Sequence, residues 1–154
     1  MVKRLRDMPE VEARHLANIK CPTYDDTPLL AGPALAQRRV VLISTAGLHR
    51  REDRLFQPGD ASYRVIPAAT PAAELLMSHI SVNFDRTGFQ QDLNVVLPID
   101  RLRELAADGA VGSMAAMHYS FMGAADPAQA EPNAKHLAGL LQRDRVDAAV
   151  LIPV

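Results

Sequence analysis

The second half of the chain alternates helix and strand signals at a spacing that few architectures accommodate. Pro98–Gly109 reads as a helix, with proline in the first turn, Ile99, Leu102, Leu105 and Ala106 on one face, and Gly109 to close it. Val111–Phe121 reads as a strand, Asn133–Arg143 as a second helix, and Val146–Val154 as another strand. Alternation of this kind builds βαβ units, so the expected class is α/β, a three-layer Rossmann-like or flavodoxin-like, mainly parallel sheet. Upstream, the apolar and β-branched run Arg39–Ala46, stopped by Gly47, fits a strand of that sheet buried on both faces. The sequence reaches Val154 at the carboxyl end of what should be a buried strand, so the sheet is expected to be incomplete at its C-terminus. In open α/β sheets that edge is where ligands bind.

The remaining segments divide the chain into an N-terminal helix and proline-rich arm, residues 1–38, and an α/β domain, residues 39–154. Asp7–Ile19 places Met8, Val11, His15, Leu16 and Ile19 at helical spacing, and the three prolines of Cys21–Arg39 mark an extended linker. A polar loop after Gly47 leads through the turn Pro58-Gly59-Asp60 to a short strand, Ser62–Pro67. Leu75–His79 is read as a strand, and Ser81–Val95 as a surface loop built for contacts.

Composition excludes several function classes. Lys and Arg total 17 against 18 Asp and Glu, a net charge of −1, so no global positive field holds nucleic acid or an anionic membrane. The lone Cys21 cannot form an internal disulfide or a cysteine-based zinc cage, which suits a reducing cytoplasm. It sits in the arm, away from any helix N-terminus that would lower its pKa, and reads as a spectator or an interchain contact. The charged N-terminus lacks the apolar stretch of a secretory signal, and no apolar run approaches the roughly 20 residues that span a bilayer.

Of the five histidines, His15 and His136 fall among polar neighbours on helices and read as surface side chains. His49, His79 and His118 each lie at or just after a strand, so three imidazoles could meet at one sheet edge for proton transfer or anion binding. The bland alternative is that each bonds a nearby loop carbonyl. No two histidines have the helical spacing of a zinc motif, and no metal site is expected. Thr45-Ala-Gly47 reads first as a tight turn, Asp60 with Ser62 and Arg64 as turn chemistry, and Asp92 with Asn94 as a satisfied loop pair. Arginines 50, 51, 54 and 64 could clamp a carboxylate.

Taken together, LISTAGLHRREDRLFQPGDASYRVIP, LLMSH, DLNVVLPIDRLRELAADG, HYSFMG and VDAAVLIPV, spanning about Val40 to Val154, resemble the selenoprotein B family of glycine, sarcosine, betaine and D-proline reductases. That resemblance implies reductive cleavage of a carbon–nitrogen bond of a small amino acid or betaine-like substrate. A selenolate or thiolate attacks the α-carbon, and a partner reductase subunit, in several systems carrying a pyruvoyl group, activates the amine. It also implies that Thr45, His49, Asp60, Arg64, Ser78, His79 and His118 line the substrate end of the sheet; of these, Thr45, Asp60, Arg64 and Ser78 are expected to bind substrate, with Arg64 on a carboxylate, and His49, His79 and His118 to act in catalysis as polar contacts or proton carriers.

In the family the selenocysteine or cysteine follows the strand that VDAAVLIPV resembles, beyond residue 154, so this chain alone is expected to be inactive and to carry no cofactor of its own. A selenocysteine UGA codon, a fragment, or a naturally short relative would each account for that, the first two more directly. The rival reading is a non-catalytic small-molecule-binding or assembly module of the same fold. Both readings expect an exposed apolar edge to be covered by another chain, hence a homo-oligomer. A third, an isomerase or hydrolase using the histidines, would retain turnover in this chain.

Overall fold

The computed structural model describes residues 4–18, 23, 25, 29–81 and 85–154. In chain order the elements are α1 (Glu10–Ala17), β1 (Arg39–Ser44), β2 (Leu48–Arg50), β3 (Arg64–Pro67), β4 (Leu75–Met77), α2 (Thr87–Gln91), α3 (Ile99–Ala107), β5 (Ser113–Met114), β6 (Met117–Ser120), α4 (Pro127–Arg143) and β7 (Ala148–Ile152). Single 3-10 turns punctuate the loops, among them Leu35–Gln37 and Leu93–Val95.

β1 is the centre of a curled, mostly parallel sheet. Along one edge it pairs with β7 in parallel, Val40 to Ser44 against Ala148 to Ile152. Its other edge meets β5 at Arg39 and Val40 and β6 at Ile43 and Ser44, also in parallel, and β3 adds antiparallel to the far side of β6. The alternation of β1 divides the core between the two faces. Val40 and Leu42 pack with Ile99 and Leu102 of α3 and with Leu48, Ile66 and Leu75, whereas Val41 and Ile43 pack with Leu137, Leu140 and Leu141 of α4. The fold is mixed α/β with cover on both faces of the sheet. β2 and β4 form a separate antiparallel ribbon, Leu48 against Met77 and Arg50 against Leu75.

Several expectations are corrected here. The single strand over 111–121 is broken in two. From Met114 to Tyr119 the chain takes five steps while β1 takes three, from Val40 to Ile43, so two residues are accommodated as a bulge. The second helix starts at Pro127, six residues before Asn133: Asp126 caps it by accepting the Ala128 N–H at 3.0 Å, and Pro132 lies inside it, where it removes one N–H from the ladder without ending the helix. Strand β7 is not buried on both faces. Val150 is 43% and Leu151 70% exposed, because β1 is its one paired neighbour among the described residues. The polar loop after Gly47 contains β2, and the loop over 81–95 contains α2.

α1 is shorter than the expected 7–19 helix, and Val11 on it is 80% exposed. Ile19 and Cys21 lie outside the described residues. No helix among the described residues is long and apolar enough to cross a membrane.

Candidate functional site

Three residues after β1 stitch together the carboxyl end of the sheet. The Thr45 N–H bonds the Ile152 carbonyl at 3.0 Å, and the Thr45 carbonyl accepts the Gly123 N–H at 2.8 Å. Its hydroxyl oxygen accepts the Val154 N–H at 2.8 Å. Ala46 bridges Met122, Gly47 donates to the Phe121 carbonyl at 2.8 Å, and the Gly47 carbonyl accepts the Ser78 N–H at 2.9 Å. The ends of β1, β6 and β7 and the residue after β4 therefore meet at one place.

Two glycines make that approach geometrically feasible. Gly47 has φ +67°, and a Cβ there would lie 3.0 Å from the His79 nitrogen and 3.2 Å from its Cα. At Gly123 a Cβ would lie 2.8 Å from the Val154 carbonyl oxygen and 3.1 Å from the Thr45 carbonyl oxygen. In the sequence Phe121-Met122-Gly123 reads first as core packing and second as a pocket wall, and Gly123 carries no site role of its own. Its signal in the sequence is its place directly after the strand run, at the same kind of position as Gly47 after β1.

The β2–β4 ribbon sets the next layer. It places His49 opposite Leu76, and the ring, fully buried, reaches Ser78. His49 Nδ1 lies 2.8 Å from the Arg50 carbonyl oxygen, and Nε2 lies 2.7 Å from Ser78 Oγ. A carbonyl only accepts, so Nδ1 carries the proton, and in the neutral ring Nε2 accepts from the Ser78 hydroxyl. Beside the ring, Asp53 accepts from the Arg50 backbone N–H at 2.9 Å and from its guanidinium at 2.8 Å. Burial pushes the Asp53 carboxyl up, but these bonds outweigh it and hold the group below the usual carboxylate range.

The other two histidines occupy different settings. His79 is buried directly after Ser78; its Nδ1 accepts the Ser81 N–H at 3.2 Å, and Arg86 donates to its carbonyl. Burial, with the Arg86 charge, lowers its pKa. His118 lies one residue into β6 rather than at the strand's carboxyl end, and its Nδ1 accepts the backbone N–H of Leu42 at 3.0 Å, midway along β1. Burial, aided by the charge of Arg103, lowers its pKa to about 4. The structure thus brings Thr45, Ser78, His49 and the backbone of His79 together, and leaves His118 within the sheet.

Asp60 and Arg64 form a third cluster. Arg64 Nε donates to the Arg54 carbonyl at 2.7 Å, Nη1 to Ser62 Oγ at 2.7 Å and the Tyr63 carbonyl at 3.2 Å, and Nη2 to Asp60 at 2.9 Å and the Leu55 carbonyl at 3.3 Å. All five N–H donors are engaged within the loop, and the guanidinium stacks 4.1 Å above the Phe56 ring. Burial raises the Asp60 carboxyl, yet the bonds from Ser62 and Arg64 prevail and keep it low. In this conformation the pair organises the 54–64 loop. Asp92 and Asn94 are likewise satisfied locally: Asn94 donates to Asp92, and its side chain bonds Asp100 at the start of α3. Among the described residues no group of His, Cys, Asp or Glu is arranged to hold a metal ion.

Residues 66–153 match the family model described as glycine/sarcosine/betaine reductase selenoprotein B, which is more than half of the chain. The chain belongs to the selenoprotein B family. Within the family match lie Ser78, His79, His118 and Gly123, while Thr45, Gly47 and His49 precede it and are joined to it by the bonds described above. Among curated proteins, the D-proline reductase subunit gamma of Acetoanaerobium sticklandii is 32% identical over 120 residues, covering 76% of this chain and 49% of the relative. This selenoprotein B family chain therefore spans about half the length of the curated relative it matches. No solved structure matches it.

Proposed function

We propose that the chain supplies one wall of the substrate site of a reductase subunit that cleaves a C–N bond of glycine, sarcosine, betaine or a D-proline-like amine. The observation that carries this is the meeting of Thr45, Gly47, Ser78, Gly123 and Val154 at the carboxyl end of the sheet, with the His49–Ser78 pair against it. In a Rossmann-like or flavodoxin-like sheet this is the edge at which ligands bind. A selenolate or thiolate following β7 would supply the nucleophile, and Thr45 and Gly123 would hold the approach to it. A pyruvoyl group on a partner subunit would supply a carbonyl that takes up the substrate amine. This chain's own part is to orient the substrate, exclude water and carry protons through Ser78.

Selenoprotein B membership and the subunit name of the relative support partner subunits for this chain. The exposed Val150 and Leu151 of β7 support association with a further chain, including a second copy, and are also what favours the alternative reading of a non-catalytic binding or assembly module. The lone cysteine suits the cytoplasm.

The deciding experiment reconstitutes the protein, carrying a selenocysteine or cysteine after β7, with its reductase partners and a dithiol, and follows C–N cleavage: amine release from glycine, sarcosine and betaine, and ring opening of D-proline to a linear amino acid. Cleavage of one of them supports the reductase reading. Saturable binding by calorimetry with cleavage of none replaces it with the binding module, and neither binding nor cleavage leaves assembly as the role.

A further inference from the structure

The three buried histidines differ in what their partners allow a proton to do. At His118 and His79 the Nδ1 atom accepts a backbone N–H, from Leu42 and Ser81 respectively, and a backbone N–H cannot reverse its role. Protonating Nδ1 in either ring costs that bond. His49 is wired otherwise. The Arg50 carbonyl holds a proton on Nδ1 at all times, while the Ser78 hydroxyl can donate to Nε2 or accept from it. Imidazole and imidazolium are therefore both fully bonded in the same geometry. His49 is completely buried and Ser78 half-buried, so Ser78 is the member of the pair nearer solvent. Through its own N–H, Ser78 is fixed to Gly47, two residues from Thr45 and the sheet edge.

We propose that Ser78 is the general acid for the departing amine and that His49 supplies its proton. This rests on the reductase reading above. As the bond between carbon and nitrogen breaks, its electron pair stays on nitrogen, and the selenolate or thiolate of that reading takes the carbon. The Ser78 proton passes to the nitrogen, and the Nε2 proton of the His49 imidazolium passes to Ser78 Oγ, leaving neutral imidazole with its Nδ1 proton in place. The relay suits primary and secondary amines that react as the neutral amine or as its neutral adduct with the partner's carbonyl, whose nitrogen needs a proton to leave; a nitrogen that already carries a positive charge, as in a quaternary ammonium, leaves without one. The charged groups around the pair are Arg50 and Asp53, bonded to each other beside β2, Glu52 and Glu74 next to Arg50, and Arg86 on the His79 carbonyl.

Two measurements test the proposal. In nitrogen NMR of the full chain across pH, His49 Nδ1 keeps its proton throughout while Nε2 gains and loses one. In the assembled reductase, Ser78→Ala lowers kcat on sarcosine or D-proline about 100-fold with little change in KM, and alters the alkaline limb of the pH–rate profile. Ser78→Thr, which keeps the hydroxyl, restores most of the rate, as a purely structural role for the side chain would not require. A His49 that titrates at Nδ1, or a Ser78→Ala enzyme with unchanged kcat and limb, overturns the relay while leaving the reductase reading intact. A wild-type assembly carrying the nucleophile that cleaves no C–N bond, although Nε2 titrates as stated, overturns the reductase reading and the general-acid role with it, and keeps the proton path between His49 and Ser78.

Discussion

The imidazole of His118 completes the pairing of β1 with β6: its Nδ1 accepts the Leu42 N–H at 3.0 Å, in the stretch where the bulge between Met114 and Tyr119 interrupts the backbone ladder. The ring must be neutral to do this, and its other nitrogen is a buried donor with no partner among the described residues. A side chain has thus taken the place of a carbonyl in the middle of the sheet.

That bond makes stability depend on pH. The folded state holds His118 at a pKa of about 4 against an ordinary value of 6.5, so between these values the unfolded chain binds the extra proton. The contribution is fully present above pH 6.5 and is lost as the pH falls toward 4, by about 3 kcal/mol at most. His79, also lowered, acts in the same direction. Urea unfolding at a series of pH values checks this. His118→Gln, which can accept the Leu42 N–H without titrating, should flatten most of the slope; an equally steep slope in that variant would assign the effect to other groups.

Gly47 carries two constraints that can be separated experimentally. Both Gly47 and Gly59 have positive φ, +67° and +77°, but a Cβ at Gly59 meets nothing within 4 Å. Gly59→Ala should therefore cost about 1–2 kcal/mol for backbone conformation alone. Gly47→Ala adds a contact with the His79 backbone and should cost clearly more, with the His49–Ser78 bond disturbed as well. Equal midpoints for the two variants in denaturant would show that the close approach carries no energy.

Arg64 offers a test between organising a loop and binding a substrate. Arg64 and Asp60 have side chains only 11% and 13% exposed, and all five guanidinium donors are occupied. Arg64→Ala leaves the Asp60 carboxylate half-desolvated and should destabilise by about 3 kcal/mol. Arg64→Lys, with three donors on a point charge, should recover only part of that. If Arg64 instead grips a substrate carboxylate, Arg64→Lys raises KM at unchanged stability, and a thermal melt beside the kinetic assay distinguishes the two.

What the sequence disclosed follows from how local each signal is. Val40–Ile43 announces a core strand by β-branching, and Ile99 with Leu102 announces the buried face of α3, because both patterns lie within one element. Asp92 with Asn94, two residues apart, is the satisfied pair the loop chemistry suggested. The His49–Ser78 contact joins residues 29 apart through two three-residue strands, too short for any alternation to show. The motifs nominated both residues without pairing them. His118 could not be placed from its strand, since the bulge that lodges its ring beside Leu42 depends on where β1 lies. Pro132 misled because a proline is read as a helix boundary, whereas the cap at Asp126 set the true start.

Thr45 ties β1 to Val154 through a single side-chain oxygen, which accepts the Val154 N–H at 2.8 Å and faces its carbonyl at 3.4 Å. A methyl group cannot replace that acceptor, while a serine hydroxyl can. Thr45→Val should therefore speed amide exchange at Val154 markedly and cost about 1 kcal/mol, and Thr45→Ser should preserve protection. Gly123→Ala should have the same effect on Val154 from the other side, because its Cβ would press on the Val154 carbonyl oxygen at 2.8 Å. Because Ser44 and Ile152 pair in the β1–β7 ladder, residues within β7 should remain protected in all three variants. Loss of protection along the whole of β7 would mean that Thr45 stabilises the strand itself, and unchanged exchange at Val154 would remove Thr45 as the residue that positions the sheet's carboxyl edge.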